Sequence, residues 1–286
     1  MRLPWKGSPL FLPRRPNAAI SLEKRKHMDW SRKRCVVLDM DGTVYLGHIP
    51  IKGAVGFIQN HWQDLDFFFL SNNTSKSPQT YEDKLNGMGI PARGELLLSP
   101  VTPLVDFLRA RGINRAYPVG NSDFQQDLRQ RMPELQQVEE GAQAVILAYD
   151  TELTYHKLAR SALLLQKPET LFLATHPDLV CPSPEGPLPD VGSMIELYAT
   201  ATGRRPQHIF GKPDPTVLAP LLRRYAKEEM VMAGDRLSTD KKLAENAGID
   251  FILVLSGEAT REDLAKEERQ PTLVLEDLGQ AEKDWR

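Results

Sequence analysis

Short apolar runs recur along the chain at wide intervals: "CVVLDM" (35–40), "DFFFLS" (66–71), "AVILAY" (144–149), "TLFLAT" (170–175), "EMVMAGD" (229–235) and "FILVL" (251–255). They are nearly continuous rather than alternating, which is the pattern of strands covered on both faces in a parallel sheet. Between them the spacing turns helical. In "SPVTPLVDFLRARG" (99–112), Leu104, Val105 and Leu108 share one face, with Ser99 placed to cap the start and Gly112 to end the helix. "TYHKLARSALLLQ" (154–166) sets Leu158, Ala162 and Leu165 along one side. Strands alternating with helices predict βαβ crossovers and a layered α/β architecture.

Two seams interrupt this order. A fresh strand begins near Arg115, and "ATGRRPQHIFGKPDP" (200–215) is polar and rich in Pro and Gly. A segment of residues 113–205 inserted between two halves of another domain, 34–112 and 206–286, explains both seams. One continuous sheet with ordinary loops explains them as well.

Composition bounds the partners. The formal net charge of −2 gives no overall attraction to nucleic acid or a membrane surface. Residues 1–27 depart from that balance, with seven Lys/Arg against the single acid Glu23. This basic segment, taken to residue 33, reads as a disordered tail, with Met28 an alternative beginning. No run reaches the roughly 18 apolar residues of a membrane span. The two cysteines, Cys35 and Cys181, lie far apart without metal-ligand spacing, so a reduced, cytoplasmic protein is expected.

The candidate chemistry sits at the ends of the apolar runs. In "VVLDMDGTVYLG" (36–47), a strand terminates in Asp39 and Asp41. Ligands of open α/β sheets gather beyond such strand ends. Two carboxylates held close repel, so a site that keeps both carries a cation or a shared proton. Hard oxygen ligands suit Mg²⁺. One carboxylate is then placed to attack phosphorus and the other to move the proton. Gly42 lets the backbone turn beside a ligand, and Thr43 is placed to fix that turn through its hydroxyl.

At the second strand end Ser71 can donate to a phosphate oxygen, with Asn72, Asn73 and the following amides extending the cradle. Lys76 nearby reads as a solvated side chain. In "FGKPDP" (210–215), Lys212 can hold phosphate and nucleophile together. A third strand ends in Asp235, with Asp240 five residues on. Asp240 reads equally as an orienting group for the metal site or as a first-turn helix acid.

These segments, in this order, resemble the haloacid dehalogenase-like phosphohydrolase superfamily, and within it the NagD-like, p-nitrophenylphosphatase/phosphoglycolate phosphatase-like subfamily. "DMDGTVYLG", "SNNTSKS", "ATHPD", "GKPDP" and "GDRLSTD" carry the resemblance, which runs from Cys35 to Gly257. It implies a Rossmann-like core with an inserted α/β cap at 113–205 and Asp39 as nucleophile. Asp41 would be the general acid/base, and Ser71 and Lys212 the phosphate holders. Mg²⁺ would be bound by Asp39, the Asp41 carbonyl and Asp235. It further implies a small phosphorylated metabolite as partner and a homodimer through the cap.

Ser238, Lys241, Ala244 and His176 depart from the usual family pattern. Lys241 and Lys242 put positive charge beside Asp240, either weakening metal binding or facing solvent. His176, alone in its loop, reads as structural. The expected function is Mg-dependent hydrolysis of a small phosphomonoester through an aspartyl-phosphate. Sugar phosphate, phosphoglycolate, glycerol phosphate and nucleoside monophosphate remain open as substrates. Phosphotransfer and a non-catalytic metabolite-binding regulator are the alternatives.

Overall fold

The structure, a computed structural model, describes residues 28–183 and 185–283; the basic segment 1–27 lies outside the described residues. In chain order the strands begin with β1 (Cys35–Asp39), the hairpin β2 (Tyr45–Leu46) and β3 (Ile49–Pro50), β4 (Asp66–Leu70) and β5 (Leu97–Leu98). Then come β6 (Arg115–Val119), β7 (Gln136–Gln137), β8 (Ala144–Leu147), β9 (Leu171–Ala174), the hairpin β10 (Val180–Cys181) and β11 (Leu188–Pro189), and β12 (His208–Ile209). β13 (Met230–Gly234), β14 (Asp250–Val254) and β15 (Leu273–Leu275) follow. All six apolar runs are strands.

One parallel sheet has the order β15-β14-β13-β1-β4-β5, and a second has the order β12-β9-β8-β6-β7. β1 lies in the middle of the first sheet and is covered on both sides. Val36 and Leu38 pack into one apolar cluster with Phe57 and Ile58, while Cys35 and Val37 pack into another with Leu221 and Leu243. Burial of each such side chain contributes about 1.5–3 kcal/mol, so the strand that delivers Asp39 is strongly fixed.

The second unit is wider than residues 113–205. The helix Val101–Ala110 turns Leu104, Val105 and Leu108 onto Phe124, Leu128 and Ile146 of the second sheet's cluster, which also takes in Phe210. Strand β12 joins that sheet beyond residue 205. Helical periodicity identifies a buried face but not the sheet that covers it. Ser99 does not cap this helix: Pro100 occupies the cap position without a side-chain bond, and the Ser99 hydroxyl has no hydrogen-bond partner among the described residues. Gly112 follows the last turn in a left-handed conformation, as expected.

Residues 28–33 do not belong to a tail. Met28 and Trp30 are buried in the first apolar cluster. The Lys33 ammonium lies 2.6 Å from Asp250 Oδ2 and donates to the Glu228 and Met230 carbonyls. Among the described residues no helix is long and apolar enough to cross a membrane.

Candidate active site

Parallel pairing brings the carboxyl ends of β4, β1 and β13 to one edge. Asp39 lies opposite Leu70, and Leu38 opposite Ala233, so Ser71 and Asp235 emerge on either side of Asp39. Oxygens of Asp39, Asp235 and Asp240 lie within 4.8 Å of one another, and all three residues are buried. The ammonium of buried Lys212 forms an ion pair with Asp39 Oδ1 and lies 2.7 Å from Asp240 Oδ1.

Three carboxylates and one ammonium leave two uncompensated negative charges. At an effective dielectric constant of about 20, like charges about 4 Å apart repel by about 4 kcal/mol per pair. One lysine offsets only part of this. Burial, reinforced by Asp240 and Asp235, raises the Asp39 carboxyl against the pull of Lys212. Asp235 is pushed up to about 6, by burial first and Asp240 next. Burial would lower the Lys212 ammonium, but Asp240 and Asp39 outweigh it and hold the group above its ordinary range.

Asp235 Oδ2 accepts the Glu258 amide at 2.7 Å, whereas its buried Oδ1 has no hydrogen-bond partner among the described residues. An all-oxygen donor set, two surplus negative charges and an unpartnered carboxylate oxygen fit a divalent cation held by Asp39 and Asp235. Ion binding requires the carboxylates to be ionised. Because the Asp235 value is raised on folding, the ion-free protein loses stability as pH rises from about 4 through about 6. Added divalent ion should therefore raise the thermal midpoint more at pH 7 than at pH 5. Melts with and without ion at the two pH values check this; equal shifts would contradict it.

Asp41 is placed differently from Asp39. It is exposed, its Oδ1 accepts Gly47 N at 3.3 Å, and its carboxylate is not one of the three that converge. Gly42 has φ +91°, and a Cβ there would collide with the Asp235 carboxylate, so the turn requires glycine. Thr43 does not fix that turn. Its buried hydroxyl has no partner among the described residues, and the Met40 carbonyl instead accepts the Val44 amide at 2.8 Å.

Ser71, half-buried beside Asp39's strand, accepts the Asn73 amide at 3.1 Å. The Asn72 side chain is not available to a phosphate: its Oδ1 accepts Lys212 N at 2.8 Å and its Nδ2 donates to Lys212 O at 3.1 Å. A short amide at a strand tip satisfies a neighbouring backbone as readily as a ligand.

Asp240 is fully buried, and its Oδ2 accepts Arg236 N at 3.1 Å. The helix-acid reading therefore gives way to a place in the cluster. Lys241 neither faces solvent nor approaches the acids, because its ammonium lies 2.8 Å from Glu245 and 2.6 Å from Glu267. Ser238 and Lys76 are exposed, and Ala244 lies in the second apolar cluster. His176 is structural: its ring nitrogens lie 2.9 Å from Thr175 Oγ1 and 2.9 Å from Asp190 Oδ1.

Three site neighbours escape the sequence reading. Arg236 lies between Glu258 at 3.0 Å and Asp178 at 3.7 Å, and Asp178 in turn meets Asn72. Applying the strand-end rule to β14 would have drawn attention to "SGEA" (256–259), and hence to Glu258.

This fold and this site define the class: a Rossmann-like parallel-sheet protein with three carboxylates and a lysine clustered at its strand ends. The Haloacid dehalogenase-like hydrolase family model matches residues 36–131 and the HAD-hydrolase-like model residues 209–281. An acid sugar phosphatase of Staphylococcus haemolyticus is 31% identical over 251 residues, covering 86% of this chain and 94% of that protein. The chain belongs to the haloacid dehalogenase-like hydrolases, in their NagD-like branch.

The 4-nitrophenylphosphatase of Thermotoga maritima superimposes with a TM-score of 0.84 at 36% identity, covering 90% of this chain and 99% of that one. A glycerol phosphate phosphatase of Mycobacterium tuberculosis, solved with calcium, has a TM-score of 0.78 at 29% identity, covering 87% of this chain and 75% of that one.

Proposed function

We propose that this chain is a Mg²⁺-dependent phosphatase of a small phosphomonoester, working in the cytoplasm. The observation that carries the reading is the buried Lys212 shared between Asp39 and Asp240, with Asp235 completing a site two charges short of neutrality. The relatives' activities, on sugar phosphate, 4-nitrophenyl phosphate and glycerol phosphate, support the same class.

In this reading an oxygen of Asp39 attacks phosphorus and the bond from phosphorus to the ester oxygen breaks. Exposed Asp41 gives its proton to the departing alkoxide, then takes one from the water that attacks the aspartyl-phosphate. That second attack breaks the bond between Asp39 and phosphorus and releases phosphate. Lys212 and Ser71 hold the transferred group. Asp39, Asp235 and the Asp41 carbonyl would hold Mg²⁺, which would supply positive charge to offset the negative charge of the transferred group.

The second unit serves as the cap that excludes water from the phospho-enzyme. Exposed Tyr155, Leu163 and Leu197 on its adjoining helices Tyr155–Leu165 and Val191–Thr202 support a homodimer through this unit. Neither nucleic acid nor a membrane is a proposed partner.

A panel of sugar phosphates, phosphoglycolate, glycerol phosphate and nucleoside monophosphates, assayed with Mg²⁺, tests the class. Phosphate release from at least one is expected. Binding across the panel without turnover would favour a regulator, and transfer to a second alcohol without phosphate release would favour a phosphotransferase.

A further inference from the structure

Asn72 follows the phosphate-site serine, yet its carboxamide grips both main-chain polar groups of Lys212, as a neighbouring strand would. This needs an acceptor and a donor on one short planar group, which a carboxamide supplies and a carboxylate or hydroxyl does not. The same Nδ2 also donates to Asp178 Oδ2 at 3.2 Å.

Asp178 belongs to the second unit, between β9 and the helix Val191–Thr202, and lies 3.7 Å from Arg236, the residue after Asp235. The three segments meet without spare room. A Cβ on Gly211 would lie 2.5 Å from Asn72 Oδ1, 2.7 Å from the Thr175 carbonyl and 2.9 Å from His176 Cβ.

We propose that Asn72 is a positioning residue that ties the placement of Lys212 to the docked position of the second unit, which it senses through Asp178. Its catalytic consequence rests on the phosphatase reading. When the second unit swings away, Asp178 leaves Nδ2 and Arg236 together. The carboxamide then loses the partner that fixes its rotamer, the Lys212 backbone loosens, and the ammonium no longer stays on Asp39. Misplacement of a reacting group by about 1 Å can cost about 100-fold in rate, so this tie confines turnover to the docked state.

The test combines amide hydrogen exchange with steady-state kinetics on the full chain, comparing wild type, Asn72→Ala, Asp178→Ala, which leaves no acceptor for Asn72 Nδ2, and the double variant. Both single variants should speed exchange across 210–216 about tenfold, while the strand 230–234 keeps its protection. Both should lower kcat for 4-nitrophenyl phosphate about tenfold or more with KM changed less than about threefold, and the double variant should be no worse than the poorer single.

Unchanged exchange at 210–216 in Asp178→Ala, or losses that multiply in the double variant, would overturn the tie. Coupled exchange in a protein whose wild type releases no phosphate would keep the tie and reject the phosphatase. Normal turnover without coupled exchange would do the reverse.

Discussion

Asp39→Asn is expected to lower phosphate release by on the order of 10⁴-fold or more, the scale seen when a catalytic nucleophile is removed. The amide is nearly isosteric but lacks an anionic oxygen to attack phosphorus. It also keeps a partner for the Lys212 ammonium, since its carbonyl can accept where Asp39 Oδ1 does now. Phosphate-ester binding, followed by calorimetry with divalent ion present, should therefore persist while turnover vanishes. The buried strand around position 39 loses no apolar contact, so the folded state should survive. Turnover within about tenfold of wild type would remove Asp39 from the role of nucleophile.

Withdrawal of divalent ions has the second large expected effect. Chelation should abolish turnover, and Mg²⁺ should restore it. An ion present at about 100 times its dissociation constant stabilises the folded state by about 2.7 kcal/mol. For a chain of this size that corresponds to a rise of about 4–5 °C in the thermal midpoint. Asp235→Asn should lose most of that rise, because it removes one of the proposed ligands and half of the surplus charge. A full ion-dependent shift in Asp235→Asn would place the cation elsewhere.

The strands and the residues at their tips were legible because a strand buried on both faces writes itself as an unbroken apolar run. Asp39, Ser71 and Asp235 could then be located by counting to the end of each run. What lay across long sequence separations was not legible. Asn72 and Lys212 are 140 residues apart, and nothing local distinguishes a carboxamide that binds phosphate from one that holds another segment's backbone. Asp240 posed the same difficulty: its spacing fits a helix start, and only the approach of Lys212 shows where its charge goes.

The helix Val101–Ala110 was found by its period but assigned to the wrong unit, since an apolar stripe does not name its partner. Trp30 was hidden by its basic surroundings. Lys33 beside it is charged, but it is buried against Asp250 and two carbonyls and does not mark a solvated tail.

Chemical trapping during turnover addresses the covalent step itself. Protein mixed with Mg²⁺ and 4-nitrophenyl phosphate, quenched and treated with borohydride, should carry homoserine at position 39 after peptide mapping, and nowhere else. The same conversion at Asp41 or Asp235, or unmodified protein quenched while phosphate is being released, would contradict attack by the β1 carboxylate.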